Sequence, residues 1–196
     1  MNILVILGHP NPCSFNYAIA KTAVDTLKML GHNVVFHDLY AEKFNPILEQ
    51  TELQTLTDPV VRRHCEELAN ADGIVIVHPI WWGMPPSILN GWVDRVFRAG
   101  VAYRFQEVAG GEGVPVGLLK AKTAVIFNTS NTKHEAEELR CKDAMGNLWK
   151  VCILDTCGIK NVHRELFGPM ITSTQQQREL WLQEAAVAIK NHFGGV

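Results

Sequence analysis

The sequence has no long apolar run and no strong excess of either charge. Its apolar runs, such as residues 3–7 and 74–77, are far shorter than the ~18 residues that a membrane span requires. The amino terminus lacks the basic head and the apolar stretch of a signal peptide. The 18 Lys and Arg against 20 Asp and Glu give a net charge of −2, which argues against a broad electrostatic interface with nucleic acid. We therefore expect a cytoplasmic protein with no membrane span and no nucleic-acid partner.

Cysteine is scarce as well, and the standard nucleotide and hydrolase motifs are absent. The five cysteines are an odd number without a secretory signal, which indicates free thiols in a reducing compartment, and no two of them have a C-x-x-C spacing. The sequence contains no G-x-G-x-x-G, no G-x-x-x-x-G-K-[ST] and no G-x-S-x-G. These absences exclude a standard dinucleotide fingerprint, a triphosphate-binding loop and a nucleophile-elbow hydrolase. We predict no metal site.

The length and the apolar content fit one packed domain. With 196 residues, of which 47% are hydrophobic, the chain can bury a sizeable core, and we expect a single domain over residues 1–196. Short β-branched and aliphatic runs alternate with segments whose apolar residues recur every three or four positions. This pattern predicts strands at residues 3–7, 34–36, 73–78, 123–128 and about 162–167. It predicts helices at residues 15–30, 58–71, 87–97, 144–156 and about 174–192.

The regular alternation of strands and helices predicts the fold class. Short buried strands separated by helices are typical of right-handed parallel β-α-β units. The number and length of the units indicate an α/β fold, a flavodoxin-like doubly wound five-stranded parallel sheet of order 2-1-3-4-5 with helices on both faces. Residues 106–120, with four glycines and a proline, are expected to form a long loop.

Three loops are predicted at the edge of the sheet where ligands bind. In an open parallel sheet, ligands bind beyond the carboxyl ends of the strands. The loops at that edge are residues 8–16, 79–86 and 128–134. Candidate functional residues are therefore sought in these three segments.

The first loop leads into a predicted helix at Ser14, Phe15 and Asn16. The free N–H groups and the positive end of the helix dipole form an anion site there, and the side chains of Ser14 and Asn16 add hydrogen bonds. No lysine or arginine lies in the loop, so dipoles and His9 would balance the charge of the anion. A simple helix cap is the alternative, and it would explain Ser14 alone.

The second loop carries adjacent tryptophans, Trp81 and Trp82, between prolines. A planar heteroaromatic ligand gains by lying against such rings, and the prolines fix the turn before binding. The alternative is that the indoles pack into the core or into a subunit interface. Because adjacent side chains rarely face the same way, we expect one indole to pack in this manner and at least one to contact a ligand.

The third loop begins with five small polar residues, 128–132, directly after a strand. Such a run offers N–H and hydroxyl donors to the polar edge of a ring, and an ordinary polar loop is the alternative. His134 is a candidate proton donor beside this loop, with a solvated loop histidine as the alternative.

Taken together, three segments resemble the NAD(P)H:quinone oxidoreductase family of flavodoxin-like proteins. They are residues 8–16 (GHPNPCSFN), 38–47 (DLYAEKFNPI) and 79–97 (PIWWGMPPSILNGWVDRVF). The second segment is similar to the FAD-binding branch, and the similarity runs from residue 1 to about residue 132. The resemblance implies a bound flavin, FAD with FMN as the alternative.

The resemblance also implies a role for each loop. The flavin phosphate would be held by the first loop, through Ser14, Phe15 and Asn16, with His9 close by. The isoalloxazine ring would be lined by residues of the second loop, Pro79, Ile80, Trp81, Trp82 and Gly83. The pyrimidine end would meet residues of the third loop, Asn128, Thr129, Ser130 and Asn131.

The family is usually a homodimer with its active sites at the interface, which implies substrate contacts from both subunits. Trp82 would contact the substrate, and the substrate aromatics of the second subunit match Tyr103 and Phe105 in this sequence. The chain departs from the family where Ser130 and Asn131 replace a glycine pair. The family's tyrosine and histidine beyond that loop have no clear counterparts, which leaves His134 as the candidate catalytic residue.

The resemblance implies a ping-pong oxidoreductase. NAD(P)H reduces the flavin and leaves, and a quinone or similar aromatic acceptor takes the same place and receives two electrons. Two other functions stay open: a simple electron carrier, and a flavin-binding regulatory subunit of a transporter. Electron carriers of this fold are typically strongly acidic, unlike this chain with its net charge of −2.

Overall fold

The computed structural model describes residues 1–107 and 113–195, and the backbone alone for His134, Glu138, Arg140 and Cys141. Its seven strands are β1 (Asn2–Leu7), β2 (Asn33–Asp38), β3 (Gly73–Pro79), β4 (Tyr103–Glu107), β5 (Gly113–Gly117), β6 (Thr123–Thr129) and β7 (Asn161–Phe167). Five of them form a parallel sheet of order β2-β1-β3-β6-β7, and β4 and β5 form a separate antiparallel pair. Without that pair, the order is 2-1-3-4-5, so the predicted doubly wound sheet is confirmed.

Six α-helices accompany the sheet in the described residues. They are α1 (Phe15–Met29), α2 (Pro59–Asn70), α3 (Ser87–Val96), α4 (His134–Cys141), α5 (Ala144–Asn147) and α6 (Gln175–Phe193). Short 3₁₀ helices occur at Gln50–Leu53 and Met170–Thr172, and a π-helix follows α5 at Leu148–Asp155. Within the described part of the chain, none of the helices combines the length and the apolar character needed to cross a membrane.

Helix α1 shows how the local sequence sets an element's limits. The Ser14 hydroxyl accepts a hydrogen bond from the Tyr17 N–H at 3.2 Å, which caps the first turn. At the other end, Gly31 adopts a φ of 80°, a left-handed conformation that glycine takes without steric cost. The predicted start and stop of this helix are confirmed.

The core lies on both faces of the sheet. Along β1, Leu4 and Ile6 point to one face, where they join the cluster that contains Trp92 of α3. Ile3 and Val5 point to the other face, where α1 and α6 pack against the sheet and each other. Burial on both faces explains why the sequences of the central strands are continuous apolar runs. Each fully buried aliphatic side chain contributes about 1.5–3 kcal/mol to the free energy of folding.

The predicted loop at residues 106–120 is wrong in part. Strands β4 and β5 form a hairpin there, with Phe105 opposite Pro115, and residues 108–112 between them lie outside the described residues. The sequence hides this hairpin because its strands are exposed along most of their length and β5 contains a proline and glycines. A proline is tolerated in such a pair because both strands are edges.

The predicted helix at residues 144–156 is also corrected. The segment divides into the short helix α5 and the π-helix at Leu148–Asp155. The π-helix buries Trp149 and Leu154, which are five positions apart, and the wider i→i+5 turn places both in the core. Helix α4 precedes this segment and was not predicted, because its sequence is mainly polar and gives no apolar period.

Candidate functional site

Three loops meet at the carboxyl edge of the sheet. Strands β1, β3 and β6 are parallel, with Leu7 beside Val77 and Val77 beside Phe127, so the loops that follow them begin at the same edge. They border a first cavity of about 300 Å³. Most of the predicted cofactor residues line this cavity: His9, Ser14, Phe15, Asn16, Pro79, Ile80, Trp81, Thr129, Ser130 and Asn131. Three further residues line it that were not predicted: Cys13, Met170 and Arg178.

The amino end of α1 forms one wall of the first cavity. The loop before it is shaped by Asn11, whose side-chain oxygen accepts from the Cys13 N–H at 2.8 Å and whose carbonyl accepts from the Ser14 N–H at 3.0 Å. The first N–H groups of a helix have no intrahelical partner and carry the positive end of its dipole. This wall therefore favours an anion.

Asn16 joins the first loop to the third and has a free acceptor. Its side chain is 3% exposed, and its amide nitrogen donates to the Thr129 hydroxyl at 2.9 Å. Its side-chain oxygen is buried and has no hydrogen-bond partner among the described residues. A buried polar atom without a partner costs about 1–3 kcal/mol, so the oxygen points to a ligand that donates a hydrogen bond.

Arg178 brings a positive charge to the first cavity. It lies on α6, where its guanidinium donates to the Ser173 hydroxyl at 2.8 Å and to the Met170 carbonyl at 3.2 Å. Burial lowers the pKa of His9 and outweighs the hydrogen bond that its ring makes with Asn11, so His9 is neutral at pH 7. Nothing in the sequence indicates Arg178 as a site residue, because only the fold brings α6 to the first loop.

The two tryptophans of the second loop sit on a tight turn at the surface. The backbones of Trp81 and Met84 exchange hydrogen bonds of 3.0 and 2.9 Å, and the residues between them, Trp82 and Gly83, have φ angles of 55° and 73°. A left-handed conformation costs a residue other than glycine about 1–3 kcal/mol. Trp81 is 42% exposed and Trp82 97% exposed, so neither indole packs into the core of the chain, and the other alternative, packing in a subunit interface, stays a prediction.

A second cavity, of about 490 Å³, adjoins the first. It shares Ile80 and Ser130 with the first cavity, which makes these two residues the boundary between them. The exposed Trp82 stands on one side of it and α4 with α5 on the other. Its lining residues are Ile80, Trp82, Gly83, Ser130, Thr132, Ala136, Glu137, Ala144 and Met145.

Three predicted site residues line neither cavity, and the side chain of a fourth is not among the described residues. Asn128 is fully buried and lines neither cavity as the structure describes them. Tyr103 and Phe105 pack edge to face at 5.5 Å on the hairpin, and within the described chain they line neither cavity. His134 begins α4, but its side chain is outside the described residues.

His78 lies beneath the loops and is fully buried. Its Nδ1 donates to the Pro79 carbonyl at 2.8 Å, while its Nε2 accepts from the Trp149 indole at 2.9 Å and from the Asn128 amide at 3.0 Å. An indole N–H can only donate, so Nε2 carries no proton and the ring is neutral. Burial lowers the pKa of His78 to about 4, in keeping with these bonds. His78 thus links the ends of β3 and β6 to the π-helix.

A second histidine cluster lies away from the cavities, between β2 and α2. His37, His64 and Glu67 have ligand atoms within 4.8 Å of one another, and the sequence analysis did not foresee this group. His37 Nδ1 bonds Glu42 at 2.8 Å and His37 Nε2 bonds Glu67 at 2.6 Å, so both nitrogens carry protons. His64 Nδ1 accepts from the Trp92 indole at 3.0 Å, which leaves the proton of that ring on Nε2. A metal bound here would have to displace these protons from the ring nitrogens.

Comparisons with known proteins agree with this architecture. The chain matches the family described as "Flavodoxin-like fold" over residues 1–193. It is 34% identical over 192 residues to an uncharacterized NAD(P)H oxidoreductase of Haemophilus influenzae, with 95% of this chain and 93% of that protein covered.

Solved structures show the same fold. The chain superposes on an NAD(P)H:quinone oxidoreductase from Methanothermobacter marburgensis with a TM-score of 0.84 and 26% identity, over 97% of this chain and 96% of the other. An FMN-dependent NADH-azoreductase from Bacillus anthracis, solved in complex with FMN, gives a TM-score of 0.79 at 17% identity, over 97% and 98% of the two chains. At that identity the likeness concerns the fold alone.

Proposed function

Because the chain belongs to the flavodoxin-like fold family, we propose that it is a flavin-dependent oxidoreductase that passes two electrons from NAD(P)H to a quinone or similar aromatic acceptor. One observation carries the proposal: a helix amino end that favours an anion, a buried acceptor on Asn16 with no partner among the described residues and the exposed indole of Trp82 lie around two adjoining cavities. Relatives that span most of the chain are named as NAD(P)H oxidoreductases, in agreement with this class of enzyme.

The residues of the first cavity fit a flavin. A phosphate would lie at the amino end of α1, with Arg178 as the cation beside it, and a hydroxyl of the ribityl chain would donate to the free oxygen of Asn16. The ring would lie against Ile80 and Trp81, with its polar edge toward the third loop. FMN and FAD share the ring and the first phosphate, so both meet these requirements, and FAD stays our expectation with FMN as the alternative.

The second cavity supplies the place for substrates. A bound flavin supplies two-electron chemistry, being reduced by NAD(P)H and re-oxidised by the acceptor. Trp82 offers an aromatic face to a flat ring, and Ile80 and Met145 exclude water from it. N–H donors of the third loop would stabilise negative charge at the pyrimidine edge. Because one cavity serves both substrates, they bind in turn, which gives a ping-pong order. A proton-transfer role for His134 stays a prediction.

A second copy of the chain would complete the site. Trp82 and Phe105 are 97% and 64% exposed, which is unusual for large aromatics in a monomer. In a homodimer the hairpin that carries Tyr103 and Phe105 would close over the second cavity of the other subunit. Light scattering on the purified protein tests this proposal: a mass twice that of the 21.9 kDa chain is expected, and a monomer would contradict it.

Turnover tests the proposed activity directly. The protein is loaded separately with FMN and with FAD, then mixed with excess NADH or NADPH and a soluble naphthoquinone. We expect one flavin form to oxidise the nucleotide over many turnovers per flavin, with initial-rate lines that are parallel at different quinone concentrations. Oxidation that stops after one equivalent would indicate an electron carrier. A flavin-loaded protein inert toward every quinone would favour the regulatory subunit.

A further inference from the structure

Arg164 is a buried arginine on an edge strand. It lies in β7, yet its side chain is only 4% exposed. Its guanidinium donates in three directions: to the Asn128 amide oxygen at 2.7 Å, to the Asp143 carboxylate at 2.6 Å and to the Glu137 carboxylate at 2.8 Å. Burying a guanidinium costs free energy unless all of its partners are in place. The loss of one of the three contacts would therefore weaken the other two.

The three partners belong to three different parts of the proposed site. Asn128 is the last residue but one of β6, beneath the third loop, and is bonded to His78, which in turn donates to the Pro79 carbonyl at the start of the second loop. Glu137 lies on α4 and lines the second cavity. Asp143 has a φ of 51° and accepts from the Gly146 N–H at 3.1 Å, which fixes the start of α5.

Arg164 thus connects the edge of the sheet to the far wall of the second cavity. On one side it fixes the amide that supports the loops of the first cavity. On the other it holds α4 and α5, whose Ala136, Ala144 and Met145 face Trp82 across the second cavity. Among the described residues, no other side-chain hydrogen bond joins Glu137 to the sheet.

From these contacts we infer that Arg164 is a positioning residue: it sets the width of the second cavity and its distance from the loops of the first. The inference rests on the proposed function. Arginine is required because a planar guanidinium can reach three acceptors at fixed angles, whereas a lysine ammonium is a single point donor on a flexible stem. Arg164 acts through Asn128, Glu137 and Asp143, and no contact with substrate or flavin is assigned to it.

The test compares Arg164→Lys with the wild-type protein, both fully loaded with flavin. We expect the KM for NAD(P)H and for the quinone to rise together about tenfold, since a misplaced wall of about 1 Å has effects of that size or larger, while kcat changes less than about threefold. The dissociation constant of the oxidised nucleotide, measured from its perturbation of the flavin absorbance, is expected to rise by the same factor as the KM values. A purely structural residue would lower the folded fraction and the apparent kcat, and leave the KM and the dissociation constant unchanged.

Two further variants keep the test decisive if Arg164→Lys fails to fold. Glu137→Gln keeps the arginine and its bond to Asn128 but weakens the tie to α4, and a smaller rise in both KM values is expected. Arg62→Gln removes an exposed arginine of α2 and serves as the control, with no expected change.

The possible results separate the two proposals. Unchanged KM values in Glu137→Gln and Arg164→Lys, with normal wild-type turnover, would overturn the positioning role alone. A wild-type protein that neither holds flavin nor turns over would overturn the proposed function, and with it the role of Arg164.

Discussion

Two buried histidines, on the two strands that flank β1, differ in charge. His37 on β2 has a carboxylate at each ring nitrogen, Glu42 at 2.8 Å and Glu67 at 2.6 Å. His78 on β3 has a carbonyl at one nitrogen and two N–H donors at the other. The first ring is therefore an imidazolium and the second is neutral.

The comparison shows that partners, rather than burial, decide the charge. Burial acts to lower the pKa of both rings, but for His37 the hydrogen bonds that the ring donates to Glu42 and Glu67, with the attraction of their charges, outweigh it and the pKa is raised. For His78 burial prevails and the pKa falls to about 4. Burial would likewise raise the pKa of Glu42, yet His37 and the nearby His64 lower it to about 2. Acceptor partners stabilise a charged ring, and donor partners exclude it.

The largest expected effect comes from removing the neutral ring. His78→Leu leaves the Trp149 indole without an acceptor and leaves the Asn128 amide only the backbone carbonyl of residue 78, at 3.4 Å, and each unsatisfied buried donor costs about 1–3 kcal/mol. We expect the free energy of unfolding to fall by about 3 kcal/mol, as measured by urea denaturation at pH 7, with His78→Gln, which keeps one acceptor, losing less. A loss within error of zero would mean that the donors find other partners and that the bonds assigned to His78 are wrong.

A smaller effect is expected at the charged ring. His37→Gln removes two charge-assisted hydrogen bonds, but Glu42 and Glu67 are partly exposed and can turn toward water. We expect a loss of about 2 kcal/mol at pH 6 by the same urea assay. If His37→Gln cost more than His78→Leu, the view that unsatisfied donors outweigh a lost ion pair would have to be abandoned.

The pH dependence of stability separates the two rings further. His37 has a raised pKa, so its stabilising contribution is complete below pH 6.5, its ordinary value, and is lost as the pH rises through the folded-state pKa. His78 has a lowered pKa. Between pH 6.5 and about 4, this ring is therefore protonated in the unfolded chain but neutral in the folded protein, and stability falls as the pH falls. The difference between wild type and His37→Gln should therefore shrink above pH 6.5. A difference that is constant from pH 6 to 9 would contradict a charged His37.

The smallest effect on stability is expected at Trp82, on the loop that follows the strand of His78. Its side chain is almost fully exposed, so Trp82→Ala should change the free energy of unfolding by less than about 0.5 kcal/mol. The same variant should raise the KM for the quinone, because it removes the aromatic face of the second cavity. Leu139→Ala, another exposed apolar side chain, is the control. Equal quinone KM values in both variants would show that Trp82 does not contact the substrate.

Much of the fold follows from local sequence, and the site follows only in part. The apolar runs at β1 and β3 and the cap at Ser14 identify a doubly wound sheet without any knowledge of contacts, and the family resemblance is confirmed by the match over residues 1–193. The loops at the carboxyl edge were identified because parallel strands end together, and most of their predicted residues do line one cavity.

The residues that were missed depend on long-range contacts. Arg178 and Arg164 come from α6 and β7, far along the chain from the loops they reach, and neither stands in a motif. Asn128 is predicted at a ligand because of its loop; its side chain lies in the polar network below the loops, because the side chains of a strand alternate in direction, and its role at a ligand stays a prediction. Of the two partners of His37, Glu42 is close in sequence, but Glu67 reaches the ring only when α2 packs on the sheet.

Flavin binding to the purified apoprotein tests the central claim most directly. FMN and FAD are each titrated into wild type and into Asn16→Ala, and binding is followed by the change in flavin absorbance and fluorescence. The account predicts one tightly bound flavin per chain for the wild type and binding about tenfold weaker for Asn16→Ala, which lacks the free acceptor of the first cavity. A wild-type protein that stays colourless with both flavins after the excess is removed would contradict it.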